Sequence, residues 1–166
     1  MTILVTGSNG MIGTELVKAL TNIGYIVIGV DKTPNKLLAN NYIHFQVSLQ
    51  DRAKVSQILQ ENNVDRIIHL AALAHTSSEK DLSWGHYYFV NVECARNLFE
   101  CANEIPVLLI STVDVYGFYD GKRAVNVDTP LEPISKYGRS KAQAEAECKK
   151  LPILIFTGFP LFIQRA

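Results

Sequence analysis

The sequence predicts a doubly wound α/β fold, in which helices cover both faces of a single parallel sheet. Short runs rich in β-branched residues alternate with longer stretches of helical periodicity, which is typical of βαβ units. Several of these runs are apolar throughout, as expected for strands that are buried on both faces. The chain has 166 residues, of which 48% are hydrophobic, so it is long enough for one domain with a substantial core.

Six strands and four helices are predicted, and right-handed crossovers place the strands in the order 3-2-1-4-5-6. The strands are predicted at Thr2–Thr6, Ile26–Val30, Ile43–Val47, Arg66–Leu70, Val107–Ser111 and Ile153–Phe156. The helices are predicted at Met11–Ile23, Arg52–Asn62, Trp84–Asn103 and Ile134–Lys149. Gly24 suits the position just after the first helix, and Asp51 suits the N-cap of the second.

Composition argues against several classes of partner. The 16 basic and 16 acidic residues cancel, so no basic surface is expected to bind nucleic acid or a membrane. The sequence opens without a basic leader, and its most apolar stretch, residues 151–163, is interrupted by two prolines and a glycine. That stretch is also shorter than the roughly 20 residues that span a bilayer. The protein is therefore expected to be soluble and cytoplasmic.

Cysteine and histidine spacing predicts no metal site. The three cysteines form no Cys-x-x-Cys pair and are interpreted as thiols in a reducing compartment. The four histidines lack the spacing of metal ligands and are interpreted as structural or surface residues; they are His44, His69, His75 and His86.

A glycine-rich turn, Thr6 to Gly13, lies between the first strand and the first helix. Gly7 permits a sharp turn, Gly10 lets the backbone approach a pyrophosphate, and Gly13 permits close packing of the helix. The amide groups at the start of the helix then face the anion. The predicted cofactor-binding residues here are Gly7, Asn9, Gly10, Met11, Ile12 and Gly13. A purely structural turn is the alternative.

An acidic residue closes the second strand. Asp31 lies about 20 residues beyond the glycine turn, where a carboxylate bonds the ribose hydroxyls of adenosine and repels a 2′-phosphate. NAD is therefore favoured over NADP. Lys32, a predicted cofactor-binding residue, and Lys36 would soften this preference, with ordinary solvated surface lysines as the alternative. An ordinary turn at the strand end is the alternative for Asp31.

The glycine spacing and five later motifs together resemble the extended short-chain dehydrogenases/reductases, the family of sugar-nucleotide 4-epimerases and dehydratases. The resemblance runs from Met1 to about Ile155. Its landmarks, in order, are Thr6 to Gly13, Asp31, His69 to Ala72, Asn91-Val92, Ser111 to Gly117, and Tyr137 to Lys141. The resemblance implies a Rossmann domain that binds NAD over residues 1–156, followed by a tail outside the family pattern at residues 157–166.

The resemblance implies three catalytic residues. A Tyr-x-x-x-Lys pair alone is a weak pattern, and a tyrosine packed on a lysine stem is the alternative. By this resemblance, Tyr137 is expected to act as the acid-base group, while Lys141 and the positive nicotinamide ring are expected to stabilise its phenolate. Lys141 also holds the nicotinamide ribose, and Thr112 hydrogen-bonds the reacting sugar hydroxyl.

The resemblance also implies a cofactor wall. Small and aliphatic residues after the fourth strand are expected along the adenosine and pyrophosphate; they are Leu70, Ala71, Ala72 and Ala74. Ser48 and Leu49 are expected near the adenine, with Ser48 in place of the family's acidic residue. Asn91 is expected to brace the ends of strands four and five, with a helix N-cap or a buried amide as equal alternatives.

The resemblance favours epimerisation over dehydration. The 4,6-dehydratases carry an Asp-Glu pair after the threonine, whereas this chain has Val113 and Asp114. Epimerisation through transient oxidation at sugar C4 is the expected function. The alternatives are a 4,6-dehydratase, an NAD-dependent alcohol oxidoreductase, or a non-catalytic NAD-binding module.

Family members continue past strand six into a smaller domain that binds the nucleotide-sugar. The chain is therefore expected to be truncated, frame-shifted or a deliberate fragment. The family pairs through two helices, which here correspond to residues 84–103 and 134–149, so a homodimer is expected.

Overall fold

One parallel sheet organises the chain in the computed structural model, which describes residues 1–74, 82–117, 125–126 and 128–150 and the backbone of 154–157. Within these residues the sheet has six strands in the order β3-β2-β1-β4-β5-β6, which confirms the predicted order and fold class. The strands are β1 Thr2–Thr6, β2 Ile26–Asp31, β3 Tyr42–Gln46, β4 Arg66–His69, β5 Val107–Ile110 and β6 Leu154–Thr157. Each lies within one residue of its predicted bounds.

The helices are α1 Met11–Asn22, α2 Arg52–Glu61, α3 Trp84–Tyr88, α4 Cys94–Ala102 and α5 Lys136–Cys148. A π-helical turn, Phe89–Glu93, joins α3 to α4, and a 3-10 turn, Val113–Tyr116, follows β5. The prediction of one regular helix over 84–103 was therefore wrong at its centre. The predicted start of the last helix at Ile134 was also wrong, because the Ser135 side chain caps α5 by accepting from the Gly138 amide at 2.8 Å.

Two apolar clusters cover the two faces of the sheet. Neighbouring strand residues point to opposite faces, so Leu4 packs towards α2, α4 and α5 while Ile3 packs towards α1. The larger cluster includes Leu98 and Phe99 of α4, both at most 2% exposed. This two-sided burial is the reason that the strand sequences are apolar throughout.

Local signals at two helix ends are confirmed. Gly24 follows α1 with a φ of +88°, in the left-handed region that favours glycine. Asp51 caps α2, with its carboxylate accepting from the Lys54 amide at 3.0 Å. None of the helices described is long and apolar enough to cross a bilayer.

Candidate active site

The glycine turn packs directly on the loop that follows β4. Gly7 has a φ of +67°, and its amide donates to the Val30 carbonyl at 2.8 Å. A Cβ at Gly7 would lie 2.8 Å from the Ala71 amide nitrogen, so any side chain here would displace backbone. The turn therefore holds β1, β2 and the loop after β4 together at the carboxyl edge of the sheet.

The start of α1 is open to an anion. Gly10 precedes the helix, and within the described chain no side chain caps it. Met11 and Ile12 are 87% and 49% exposed, so the first turn of the helix faces outwards. Its amides have the geometry that binds phosphate groups in other proteins.

Gly13 packs on the glycine turn itself. A Cβ at Gly13 would lie 2.1 Å from the Gly7 carbonyl oxygen and 2.9 Å from the Ser8 Cα. The helix thus packs closely on the residues that directly follow β1, so a side chain at Gly13 would displace the backbone of the glycine turn.

Asp31 fixes the glycine turn and the turn after β2. One carboxylate oxygen accepts from the Asn9 amide at 3.1 Å, and the other accepts from the Thr33 amide at 2.9 Å and hydroxyl at 2.8 Å. The Asn9 side chain donates to the Pro34 carbonyl at 2.7 Å. Asp31 therefore stabilises a turn at the strand end, as its alternative interpretation predicts, and it also borders the candidate site.

A cavity of about 280 Å³ lies over the carboxyl ends of the central strands. Predicted residues that line it are Gly7, Gly10, Asp31, Lys32, Ser48, Leu49, Leu70, Ala71 and Ala72. Predicted residues that do not line it are Asn9, Met11, Ile12, Gly13, Ala74, Tyr137 and Lys141, whose part in cofactor binding stays a prediction. Lining residues that were not predicted from the sequence are Val30, Val47, Gln50, Leu73, Val90 and Cys94.

A larger and more open groove of about 480 Å³ lies at the opposite end of the sheet, beside Asp65 and Arg66. None of the predicted site residues lines it. Because ligands of doubly wound sheets bind at the carboxyl ends of the strands, the smaller cavity is the candidate site.

Thr112 and Tyr137 meet beside this edge of the sheet. Thr112 follows β5, Tyr137 lies in the first turn of α5, and the Thr112 side chain is close enough to the Tyr137 phenol to lower its pKa. The Ser135 hydroxyl donates to the Asp114 carboxylate, and a Cβ at Gly138 would lie 2.5 Å from the Asp114 carbonyl oxygen. α5 is thus pinned against the 3-10 turn, which brings the two hydroxyl groups together.

The pKa of the Tyr137 phenol is raised in the structure. Burial raises it, the Asp114 carboxylate raises it further, and the Thr112 side chain opposes both. The shift is therefore upward, and Lys141 is not among the groups that contribute to it. A positive charge on a bound group would lower the pKa of this phenol.

Lys141 is buried, with 3% of its surface exposed. Burial lowers the pKa of its ammonium group to about 8. Its charge also helps to lower the pKa of His69, after burial, to about 3. His69 is therefore neutral, and its ring nitrogen lies 2.7 Å from the Thr6 hydroxyl oxygen, so its role is structural. His75 lies outside the described residues.

Asn91 is a buried amide in the π-helical turn. Its side chain accepts from the Leu73 amide at 2.6 Å and donates to the Leu73 carbonyl at 3.0 Å and the Ser140 hydroxyl at 2.8 Å. Of the alternatives for Asn91, the helix N-cap is wrong and the buried amide is confirmed. The brace joins the loop after β4 to α5, and not to the end of β5 as expected. The π turn places this amide between them.

The glycine turn and the Thr-Tyr-Lys set on one doubly wound sheet define a Rossmann domain of the extended short-chain dehydrogenase/reductase class. The sequence matches the NAD dependent epimerase/dehydratase family over residues 3–152. The chain belongs to this family, which confirms the resemblance described above.

Curated relatives include the UDP-glucose 4-epimerases of Lactobacillus helveticus and Neisseria meningitidis. The first is 31% identical, over 87% of this chain and 45% of the relative. The second is 32% identical, over 86% of this chain and 46% of the relative. The chain thus spans about half the length of these relatives.

Solved structures also match this chain over about half of their own length. A UDP-glucuronic acid 4-epimerase from Bacillus cereus, in complex with UDP-glucuronic acid and NAD, matches with a TM-score of 0.80 and 28% identity. The match covers 94% of this chain and 55% of that one. MoeE5 in complex with UDP-glucuronic acid and NAD matches with a TM-score of 0.78 and 29% identity, over 89% of this chain and 48% of that one.

Proposed function

We propose that the chain binds NAD at the carboxyl edge of its sheet and takes part in 4-epimerisation of a UDP-hexose. The observation that carries the proposal is the placement of Thr112 beside Tyr137 at the carboxyl edge of the sheet, one helical turn from the buried Lys141. The solved relatives that hold NAD with a UDP-sugar support the substrate class.

The residues at the sheet edge fit a dinucleotide. Gly7 packs closely on the Ala71 backbone beside the open start of α1. A pyrophosphate would lie against the exposed backbone at this point. Asp31 would accept from the adenosine ribose.

Tyr137 would act as the acid-base group. NAD, when bound, would supply the acceptor and donor of hydride for the sugar C4 carbon. The Tyr137 phenolate oxygen would accept the proton of the C4 hydroxyl and give it back when the ketone is reduced. Thr112 would hold that hydroxyl, and Lys141 would stabilise the charge on the phenolate.

The position of Asp114 supports epimerisation over dehydration. Its carboxylate accepts the Ser135 hydroxyl, and its backbone supports Gly138. It is therefore engaged in fixing α5, where a dehydratase needs an acid-base group. An NAD-binding module without turnover is the second candidate, since the raised pKa of the Tyr137 phenol disfavours the phenolate that turnover needs.

Incubation with NAD and UDP-glucose separates the two candidates. An epimerase forms UDP-galactose, and NADH absorbance at 340 nm reports the oxidised intermediate state. Binding of NAD without either product favours the module. Failure to bind NAD contradicts both.

Asp31 is expected to set the choice of dinucleotide. D31N removes the charge that repels a 2′-phosphate, so the preference for NAD over NADP should fall at least about tenfold, or about 1.4 kcal/mol. Titration calorimetry with both dinucleotides measures this. D51N is the matched control, because Asp51 caps α2 outside the cavity and should leave both affinities unchanged. An unchanged preference in D31N contradicts the assignment.

We also propose a homodimer through the α3–α4 segment and α5. Trp84 of α3 and Phe89 of the π-helical turn are 38% and 39% exposed, so the segment presents two large apolar side chains that a partner would cover. Sedimentation at about 10 μM should give a dimer, and F89E should shift it towards the monomer. A monomeric wild-type chain at that concentration contradicts the proposal.

We also propose that the protein is cytoplasmic. Cys94, Cys101 and Cys148 are free thiols, which a reducing compartment preserves.

A further inference from the structure

Glu145 is a buried acid on the face of α5 that carries Lys141. Both residues are 3% exposed. Because they lie four positions apart on one helix, their side chains are neighbours. A glutamate is rarely buried to this degree unless its charge is paired or hydrogen-bonded, so its surroundings need an explanation.

The Glu145 carboxylate is anchored to the end of β5. It accepts a hydrogen bond from the Ser111 hydroxyl, and Ser111 is itself 9% exposed. Ser111 directly precedes Thr112 in the chain. Glu145 therefore connects the helix that carries Tyr137 and Lys141 to the strand end that carries Thr112.

The groups around Lys141 leave Glu145 as its source of negative charge. Among the described residues, Glu145 and Cys148 are the groups that favour the charged lysine. Burial raises the pKa of the Cys148 thiol to about 11, so this thiol is neutral at pH 7. His69, on β4, is neutral as well because its pKa is lowered to about 3.

Opposing effects act on the Glu145 carboxyl group. Its pKa is raised overall, mainly by burial, while the Ser111 hydroxyl, Lys149 and Lys141 oppose that rise. Tyr116 also faces Glu145, but burial and the carboxylate raise the pKa of its phenol, so it carries no charge at neutral pH. Glu145 and Lys141 are thus a buried acid and a buried base on one face of α5.

We propose that Glu145 is a positioning residue whose carboxylate, anchored by Ser111, keeps the Lys141 side chain charged at neutral pH. Without that carboxylate, burial would favour the neutral form of the lysine. A neutral lysine binds the ribose and stabilises the Tyr137 phenolate less well than a charged one. The consequence for catalysis rests on the proposed function. The electrostatic link between Glu145 and Lys141 does not.

Titration of Lys141 tests this link directly. NMR of the full chain with ¹³Cε-labelled lysine follows the ammonium group, and loss of one signal in K141M assigns it. In E145Q, which keeps the shape and one acceptor oxygen for Ser111, the pKa of Lys141 should fall by about one unit, as is typical for loss of one nearby opposite charge. E147Q is the matched control. Glu147 lies on the same helix but pairs with Arg96 and Lys150, so its removal should leave the titration of Lys141 unchanged.

An unchanged Lys141 titration in E145Q overturns the proposal, as does an equal shift in E147Q. If E145Q does not fold, the wild-type chain gives the answer. Its Lys141 signal should show a second inflection at the pH where ¹³Cδ-labelled Glu145 titrates, and a single inflection overturns the proposal.

NADH fluorescence separates this inference from the proposed function. E145Q should lose affinity for NADH between pH 6.5 and 8 more steeply than the wild-type chain, because Lys141 loses its proton in that range. If the wild-type chain binds no dinucleotide, the proposed function fails while the NMR result still decides the role of Glu145.

Discussion

Replacement of Gly13 by alanine is expected to weaken NAD binding at least about 100-fold, or about 2.7 kcal/mol. The added Cβ would lie 2.1 Å from the Gly7 carbonyl oxygen and 2.9 Å from the Gly7 carbonyl carbon. Both are backbone atoms of the glycine turn, on which the proposed pyrophosphate site depends, so the turn has to move. Overpacking of this kind also lowers the free energy of unfolding by about 1–3 kcal/mol.

G85A is the matched control for G13A. Gly85 also lies inside a helix, α3, but its Cβ would meet only the Ser83 hydroxyl oxygen at 3.5 Å. Alanine there should stabilise the chain by about 0.5–1 kcal/mol and leave NAD affinity unchanged. Calorimetry with NAD and thermal unfolding measure both effects. Wild-type affinity in G13A would mean that the glycine turn does not hold the pyrophosphate.

The sequence predicted the sheet and the glycine turn because both depend on local signals. Apolar runs fixed β1 to its exact bounds, and Gly7, Gly24 and Asp51 occupy conformations that their residue types favour. The predicted start of α5 was two residues too early. Ile134 fits the helical periodicity, but the Ser135 side chain caps the helix, so the helix begins at Lys136.

The parts of the site that the sequence did not predict depend on contacts between distant residues. The π turn accompanies hydrogen bonds from Asn91 to Leu73 and Ser140, which lie 18 and 49 positions away. Val90 and Cys94 line the cavity, but two apolar residues four positions apart are indistinguishable from ordinary core residues.

The charged and titratable groups of the site could not be predicted from the sequence either. Glu145 lies in the segment Ala-Glu-Ala-Glu-Cys, which has the composition of an exposed helix face. Only the fold shows that one of these glutamates is buried against Ser111 and the other is paired at the surface. The raised pKa of Tyr137 likewise follows from burial and from Asp114, which tertiary packing brings near.

Replacement of Tyr137 by phenylalanine is expected to slow the formation of UDP-galactose by about 10³-fold, within the range that an acid-base group contributes. The substitution removes the hydroxyl that lies beside Thr112 and keeps the ring, so NAD affinity should change less than about threefold. Because burial raises the pKa of Tyr137, the wild-type rate should increase with pH as the phenol loses its proton. The residual rate of Y137F should lack that increase.

Y25F is the matched control, since Tyr25 packs on the α1 side of the sheet at the start of β2, away from the carboxyl edge. Its rate and pH profile should equal those of the wild-type chain. Bound NAD adds a positive ring near Tyr137, so the pKa of the phenol should fall on binding, and absorbance at 295 nm, compared with Y137F, follows it. A Y137F rate within about tenfold of the wild-type rate would show that another group moves the proton.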